Sequence, residues 1–178
     1  MKTVTIKDKT FELSIEYAKI QEAIISVAKE INRDYIGMEP LFLVVLNGAF
    51  MFAGELMKEI DLPCEISFVK LASYAGTQST SHVKKLIGLN EEIKGRNVVV
   101  VEDIVDSGIT MEKLLEELAA MKPRSISIAT LLLKPDALVK DIEIDYVGME
   151  IPNEFIVGFG LDYDGYGRNL KDIYKIVV

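Results

Sequence analysis

One stretch decides most of what this chain can fold into: Val98, Val99, Val100 and Val101, followed at once by Glu102, Asp103, Ile104, Val105, Asp106, Ser107, Gly108, Ile109 and Thr110. Four consecutive β-branched residues suit a strand covered on both faces, which is the situation of a parallel sheet sandwiched by helices. The apolar run ends in two adjacent acids, and a helix is expected over residues 110–121, stopped by Pro123. We therefore place a buried strand at 97–102, a loop at 103–108 and a helix after it. In open α/β sheets ligands sit at that end of a strand. The helix start offers backbone N–H groups and the positive end of the macrodipole, Ser107 and Thr110 add hydroxyls, and Gly108 lets a ligand approach the backbone. Together they make a seat for a terminal phosphate. The acids above the seat suit sugar hydroxyls, a magnesium ion or a proton.

The remaining sequence agrees with this frame. Residues 4–6 and 10–13 alternate around Asp8-Lys9 as a hairpin, and 15–31 carry apolar residues at helical spacing. Residues 41–46 form a second continuous apolar run, turned by Asn47-Gly48 into a helix at 49–60. Strands are expected at 64–71, 85–89, 125–133, 145–149 and 155–157, and residues 72–84 read as an exposed, mobile loop. Alternating strands and helices predict an α/β fold: a mostly parallel central sheet flanked by helices, with the late strands forming a small extra subdomain or an antiparallel edge. With 178 residues, no repeat and no linker-like stretch, residues 1–178 read as a single domain.

Composition narrows the function. The net charge of −8 argues against sequence-independent nucleic-acid binding and against anionic membrane surfaces. The longest apolar runs are strand-sized, the start of the chain lacks a signal-peptide apolar region, and one cysteine, Cys64, allows no internal disulfide. A cytoplasmic protein is expected. Cys64 reads as buried and inert, Met51 and Met57 as core, and His82 as a solvated bystander. Glu91-Glu92 and Glu116-Glu117 read as solvated faces.

Competing motifs fail. A Walker P-loop requires Lys before its Ser/Thr, and the glycine fingerprint of dinucleotide-binding folds is absent. The plain alternative for residues 98–110 is an acidic turn capping a helix through Asp106 or Ser107. A phosphoacceptor receiver domain also uses an acid pair and a strand-end lysine, but carries the pair near its start. A non-enzymatic RNA-binding regulator on the same fold needs a basic face, which the charge balance opposes.

The stretch 98–110 resembles the phosphoribosyl-pyrophosphate loop of the type I phosphoribosyltransferases. Four more segments narrow the resemblance to the hypoxanthine(-guanine) phosphoribosyltransferase family: residues 46–52 (L-N-G-A-F-M-F), Ser73-Tyr74, residues 131–134 (L-L-L-K), and Glu150-Ile151-Pro152 through Arg168. The likeness runs from about Leu41 to Asp172 in the family's order. It implies that a 6-oxopurine and phosphoribosyl pyrophosphate are the substrates, with magnesium as cofactor, on that family's fold with a small hood subdomain. Glu102 and Asp103 would hold the ribose hydroxyls, on the side of the metal. Asp106 would handle the proton on the imidazole side of the purine, as the catalytic group. Asp106, Ser107, Gly108, Ile109 and Thr110 would wrap the 5-phosphate. The resemblance further gives Lys134 to the 6-oxo group, Phe155 to stacking and the backbone of Ile156 to the base edge. Asp162 would bind magnesium, while Arg168, Asn47 and Gly48 contact pyrophosphate. Ser73 and Tyr74 would lie on a closing lid. A homodimer or homotetramer is implied too, as is a cis peptide at Leu46–Asn47. One departure is Asn47, where family members often carry Lys or Arg. The base could equally be hypoxanthine, guanine or xanthine.

Overall fold

The computed structural model describes residues 2–73 and 84–177. A hairpin opens the chain, β1 (Thr3–Ile6) and β2 (Lys9–Ile15), followed by helix α1 (Tyr17–Asp34). Then come β3 (Leu41–Val45), α2 (Phe50–Lys58), β4 (Glu65–Ser73), β5 (Lys84–Ile87), β6 (Asn97–Val105), α3 (Ile109–Ala120) and β7 (Ser125–Leu133). A 3-10 turn at Pro135–Ala137 leads to β8 (Tyr146–Glu150), β9 (Ile156–Val157) and β10 (Ile173–Ile176).

Two sheets result. In the central one the order is β5-β4-β3-β6-β7-β8, with β5 antiparallel at the edge and the other five strands parallel. Side chains alternate across β3 and β6. Phe42, Val44, Val99 and Val101 pack under α1 and α2, while Leu41, Leu43, Val98 and Val100 pack toward α3. That two-sided cover is why both strands read as unbroken apolar runs. The chain starts the parallel sheet at β3, adds β4 on one side and then crosses to add β6 on the other. The topological switch point therefore lies between β3 and β6, and the crevice outside their carboxyl ends is where such a sheet binds ligands.

The second sheet is antiparallel, in the order β1-β2-β10-β9. Its small core is Phe11, Val157 and Tyr174. This is the hood. It is tied to α1 where the Tyr17 N–H donates to Asp172 Oδ1 at 2.9 Å. No strand is expected from the sequence at 173–176, yet β10 sits inside this sheet, paired with both β2 and β9. A second correction concerns β6. The strand does not end at Glu102 but continues through Val105, because Ile104 and Val105 stay in register with Leu132 and Leu133 of β7. The loop is thus residues 106–108. Cys64 is half-buried rather than buried, and Glu91 is not merely solvated: it accepts a 2.6 Å hydrogen bond from buried Ser67. The lid expected at 72–84 falls, apart from its ends, outside the described residues, as do Tyr74 and His82. Ser73 closes β4.

Candidate active site

Three segments meet at the switch point. The first is the turn after β3, where Leu46–Asn47 is a cis peptide, as the resemblance implies. The second is the end of β6. The third is the loop 158–168 beneath the hood. Gly48 and Gly160 make the meeting possible. A Cβ on Gly48 would lie 1.8 Å from Asp103 Oδ2, and a Cβ on Gly160 would lie 2.1 Å from the Gly48 carbonyl oxygen. Asp103, the turn and the loop are thus stacked with no room for a methyl group between layers.

The acid pair sits in the crevice wall. Asp103 is 9% exposed; its N–H donates to Glu102 Oε1 at 3.0 Å, and its own Oδ1 accepts from the Ile104 N–H at 2.8 Å. Burial pushes Glu102 well above the usual carboxylate range, and the neighbouring Asp103 carboxylate adds to the push. Burial also raises Asp103, opposed by its hydrogen bonds with Glu102 and the Ile104 N–H and by the charge of Arg168. The folded state therefore binds the Glu102 proton more tightly than the unfolded chain. The resulting destabilisation is absent below the unfolded carboxylate pKa of about 4.3 and grows as pH rises above it. Glu102→Gln is thus expected to raise Tm at neutral pH by roughly 2–4 °C per kcal/mol recovered. The gain should shrink toward pH 4, and catalytic efficiency should fall by about 10–100-fold as a charged acceptor is lost. Paired melting curves at both pH values check this; a neutral-pH Tm at or below that of the unmodified protein contradicts it.

Below the acids lies a cleft of about 170 Å³ lined by residues 102–108, Thr110 and Met111. The cap residue of α3 is Gly108 at φ 80°, which has no side chain to cap the helix, and Ser107 Oγ accepts a long 3.4 Å bond from the Ile109 N–H. Ser107 is thus at most a weak form of the ordinary cap, and a helix start of this kind can receive an anion. Gly108 is pressed against Leu138, Lys140 and Ile142, and the Val139 N–H donates to the Ser107 carbonyl at 3.1 Å, so the loop is backed from outside.

Lys134 follows β7. Its N–H donates to the Val105 carbonyl at 3.0 Å, and its buried Nζ donates to Asp106 Oδ2 at 2.9 Å. The Asp106 side chain is 52% exposed. The Ile151 N–H bonds the Leu133 carbonyl, so the segment running to Phe155 departs beside Lys134. Phe155 is 47% exposed and is braced by Phe11 (ring centroids 6.2 Å) and by the edge of Tyr163 (6.0 Å, 86°). In β9, Ile156 stands opposite Lys175, and the Ile176 N–H bonds the Phe155 carbonyl. That is the non-hydrogen-bonded pair of an antiparallel ladder. The N–H and C=O of Ile156 therefore point away from β10, along the open edge of the hood sheet.

In the loop 158–168, Asp162 Oδ1 pairs with Arg168 Nη2 at 2.7 Å, and Oδ2 accepts from the Gly165 N–H at 2.7 Å. Arg168 Nη1 also donates to the Gly160 carbonyl at 2.7 Å. Asn47 is exposed at the turn. Gly160 and Phe11 escape a reading of the sequence, since their importance is steric and arises only once distant segments touch.

A parallel sheet with an acid pair at its switch point, a phosphate-sized cleft at the next helix start and a hood above defines a phosphoribosyltransferase class of site. The family model for the phosphoribosyl transferase domain matches residues 16–164. Hypoxanthine phosphoribosyltransferase of Salmonella typhimurium is 39% identical over 95% of this chain and 97% of its own. The hypoxanthine-guanine enzyme of Streptococcus thermophilus is 46% identical over 84% of this chain and 86% of its own. A crystal structure of a Bacillus anthracis hypoxanthine-guanine phosphoribosyltransferase superposes with a TM-score of 0.86 at 38% identity, covering 93% of this chain and 98% of that one. This chain belongs to the hypoxanthine(-guanine) phosphoribosyltransferase family.

Proposed function

We propose that this enzyme works in purine salvage. It transfers the 5-phosphoribosyl group of phosphoribosyl pyrophosphate to hypoxanthine, with guanine as a second base, giving IMP or GMP and pyrophosphate. The observation that carries the choice of base is the Lys134–Asp106 pair, 2.9 Å apart at adjacent strand ends. A 6-oxopurine presents O6 and N7 side by side. A cationic donor suits O6 and a carboxylate suits a proton at N7. Adenine offers an amino donor where Lys134 needs an acceptor.

The roles follow from position. Residues 106–110 seat the 5-phosphate, and Glu102 and Asp103 accept from the ribose hydroxyls. Phe155 stacks on the base, and the outward backbone of Ile156 bonds its edge. As the bond from the anomeric carbon to pyrophosphate lengthens, positive charge grows on the ribose and negative charge on the leaving group. Arg168 and the backbone of the Asn47-Gly48 turn face that negative charge, while Asp106 takes the proton from the attacking base. Without a side-chain cation at Asn47, the turn acts through its backbone.

The donor set fits magnesium. Among the described residues no group of three His, Cys, Asp or Glu forms a cage, and magnesium characteristically takes one or two carboxylates and completes its shell with water and substrate phosphate. Asp162 accepts one hydrogen bond on each oxygen and keeps lone pairs for an ion. Asp162 would hold it, with Glu102 and Asp103 on the ribose side. When bound, magnesium offsets charge on the pyrophosphate.

Residues 1–178 act as one phosphoribosyltransferase domain whose partners are small molecules. Net charge and a single cysteine support a cytoplasmic setting without nucleic-acid or membrane partners, and no described helix is long and apolar enough to cross a membrane. Ile66 and Phe68 stay exposed on one face of β4, which supports a homodimer or homotetramer.

Lys134→Met tests the base assignment. Loss of a charged hydrogen bond in a desolvated pocket is worth about 1.5–3 kcal/mol, so kcat/KM for hypoxanthine should fall about 10–100-fold. Steady-state kinetics with hypoxanthine, guanine and adenine measure it. Undiminished use of hypoxanthine by the variant, or adenine as the best substrate of the unmodified enzyme, refutes the assignment.

A further inference from the structure

The turn of the first hairpin breaks a local rule. Two residues, Lys7 and Asp8, join β1 to β2, and such turns favour glycine or asparagine where φ is positive. Here Lys7 takes φ 52°. A side chain kept in a strained conformation calls for a compensating contact. Lys7 has two: it forms an ion pair with Asp164, and its ammonium lies 4.9 Å from the centre of the Tyr166 ring. Asp8 accepts a 2.8 Å hydrogen bond from the Tyr163 hydroxyl. The residues it grips form a second tight turn, closed by reciprocal hydrogen bonds between Tyr163 and Tyr166 of 2.9 and 3.0 Å. Two turns distant in sequence thus clasp each other.

The clasp leads to the base site. Tyr163 sets its ring edge-on against Phe155 at 6.0 Å, and Phe11, in β2 of the same hairpin, lies 6.0 Å from Tyr163 and 6.2 Å from Phe155. Phe155 is half exposed, so these neighbours fix its ring plane. Exposed hydrogen bonds and ion pairs contribute little to global stability. A strained turn that makes such contacts does more for geometry than for folding.

We propose that the Lys7-Asp8 turn is a positioning element of the base site, with Asp8 and Tyr163 as positioning residues: Asp8 holds Tyr163, and Tyr163 holds Phe155 in the plane that stacks on the purine. This rests on the functional reading above. Neither residue touches the reacting atoms. Losing the clasp weakens capture of the base and spares the step at the ribose.

The test is a double-mutant cycle with Asp8→Ala, Tyr163→Phe and the pair of them, read by steady-state kinetics and thermal melting. KM for hypoxanthine should rise about 3–10-fold in each single variant, the size of one net hydrogen bond. The values of kcat and of KM for phosphoribosyl pyrophosphate should stay within about two-fold. The double variant should match the singles, because both remove the same bond. Asp8→Glu, which retains the acceptor, should recover most of the loss. An unmoved KM for hypoxanthine, or losses that multiply in the double variant, overturns the inference while the functional reading stands. Absence of hypoxanthine turnover by the unmodified enzyme overturns both.

Discussion

Gly48→Ala is expected to abolish most activity while removing no charged group. The added methyl would sit 1.8 Å from Asp103 Oδ2, so either the carboxylate or the turn must move. A misplacement of about 1 Å at a reacting centre costs on the order of 100-fold, and here either the acid proposed to hold the ribose or the turn proposed to face pyrophosphate is displaced. The kcat/KM should fall by at least that factor. Tm should fall as well, because overpacking costs about 1–3 kcal/mol. Gly54→Ala is the contrasting case. That residue lies mid-helix in α2 with nothing within 4 Å of an added Cβ. The change should stabilise by about 0.5–1 kcal/mol and leave kinetics unchanged. Parallel kinetics and melts of the two variants decide the matter. Near-normal activity of Gly48→Ala would mean that the close stacking of turn and acid has no part in catalysis.

Asp106→Asn should lower kcat by about 100–10,000-fold, the range for removing a positioned general base. The amide keeps an oxygen for the Lys134 ammonium, so the buried cation retains a partner and melting should change little. Asp106→Ala removes that partner also and should melt lower than Asn. The separation matters, because Asp106 balances Lys134 in the fold and is also the group proposed to take the proton. A kcat for the Asn variant within about ten-fold of the unmodified enzyme would remove Asp106 from proton transfer.

What could be read from sequence depended on whether a feature was local. β3 and β6 announced themselves because each is buried on both faces, and the phosphate cleft because strand, loop and helix are contiguous. The end of β6 was placed early because Glu102 and Asp103 interrupt the apolar run, while the backbone goes on pairing with β7 through Val105. β10 went unread. Ile173–Ile176 is short and Lys175 interrupts its apolar residues, and its pairing with β2 joins opposite ends of the chain. Lys134, Phe155, Asp162 and Arg168 were legible only through a family likeness; in the fold Lys134 pairs with Asp106 and Asp162 with Arg168, while Phe155 packs against Phe11 and Tyr163. Gly160 could not be read, since its constraint is the Gly48 carbonyl rather than its own neighbours. The backbone role of Ile156 was implied by the likeness alone, and the reason its N–H and C=O point outward comes from the ladder with β10.

The most direct measurement of the central claim is product identification. The purified enzyme is incubated with hypoxanthine, phosphoribosyl pyrophosphate and magnesium, and nucleotide and pyrophosphate are quantified together. The account predicts IMP and pyrophosphate in equal amounts, dependence on the metal, and adenine as a poor substitute. Pyrophosphate released without nucleotide, or AMP formed from adenine in preference to IMP from hypoxanthine, would contradict it.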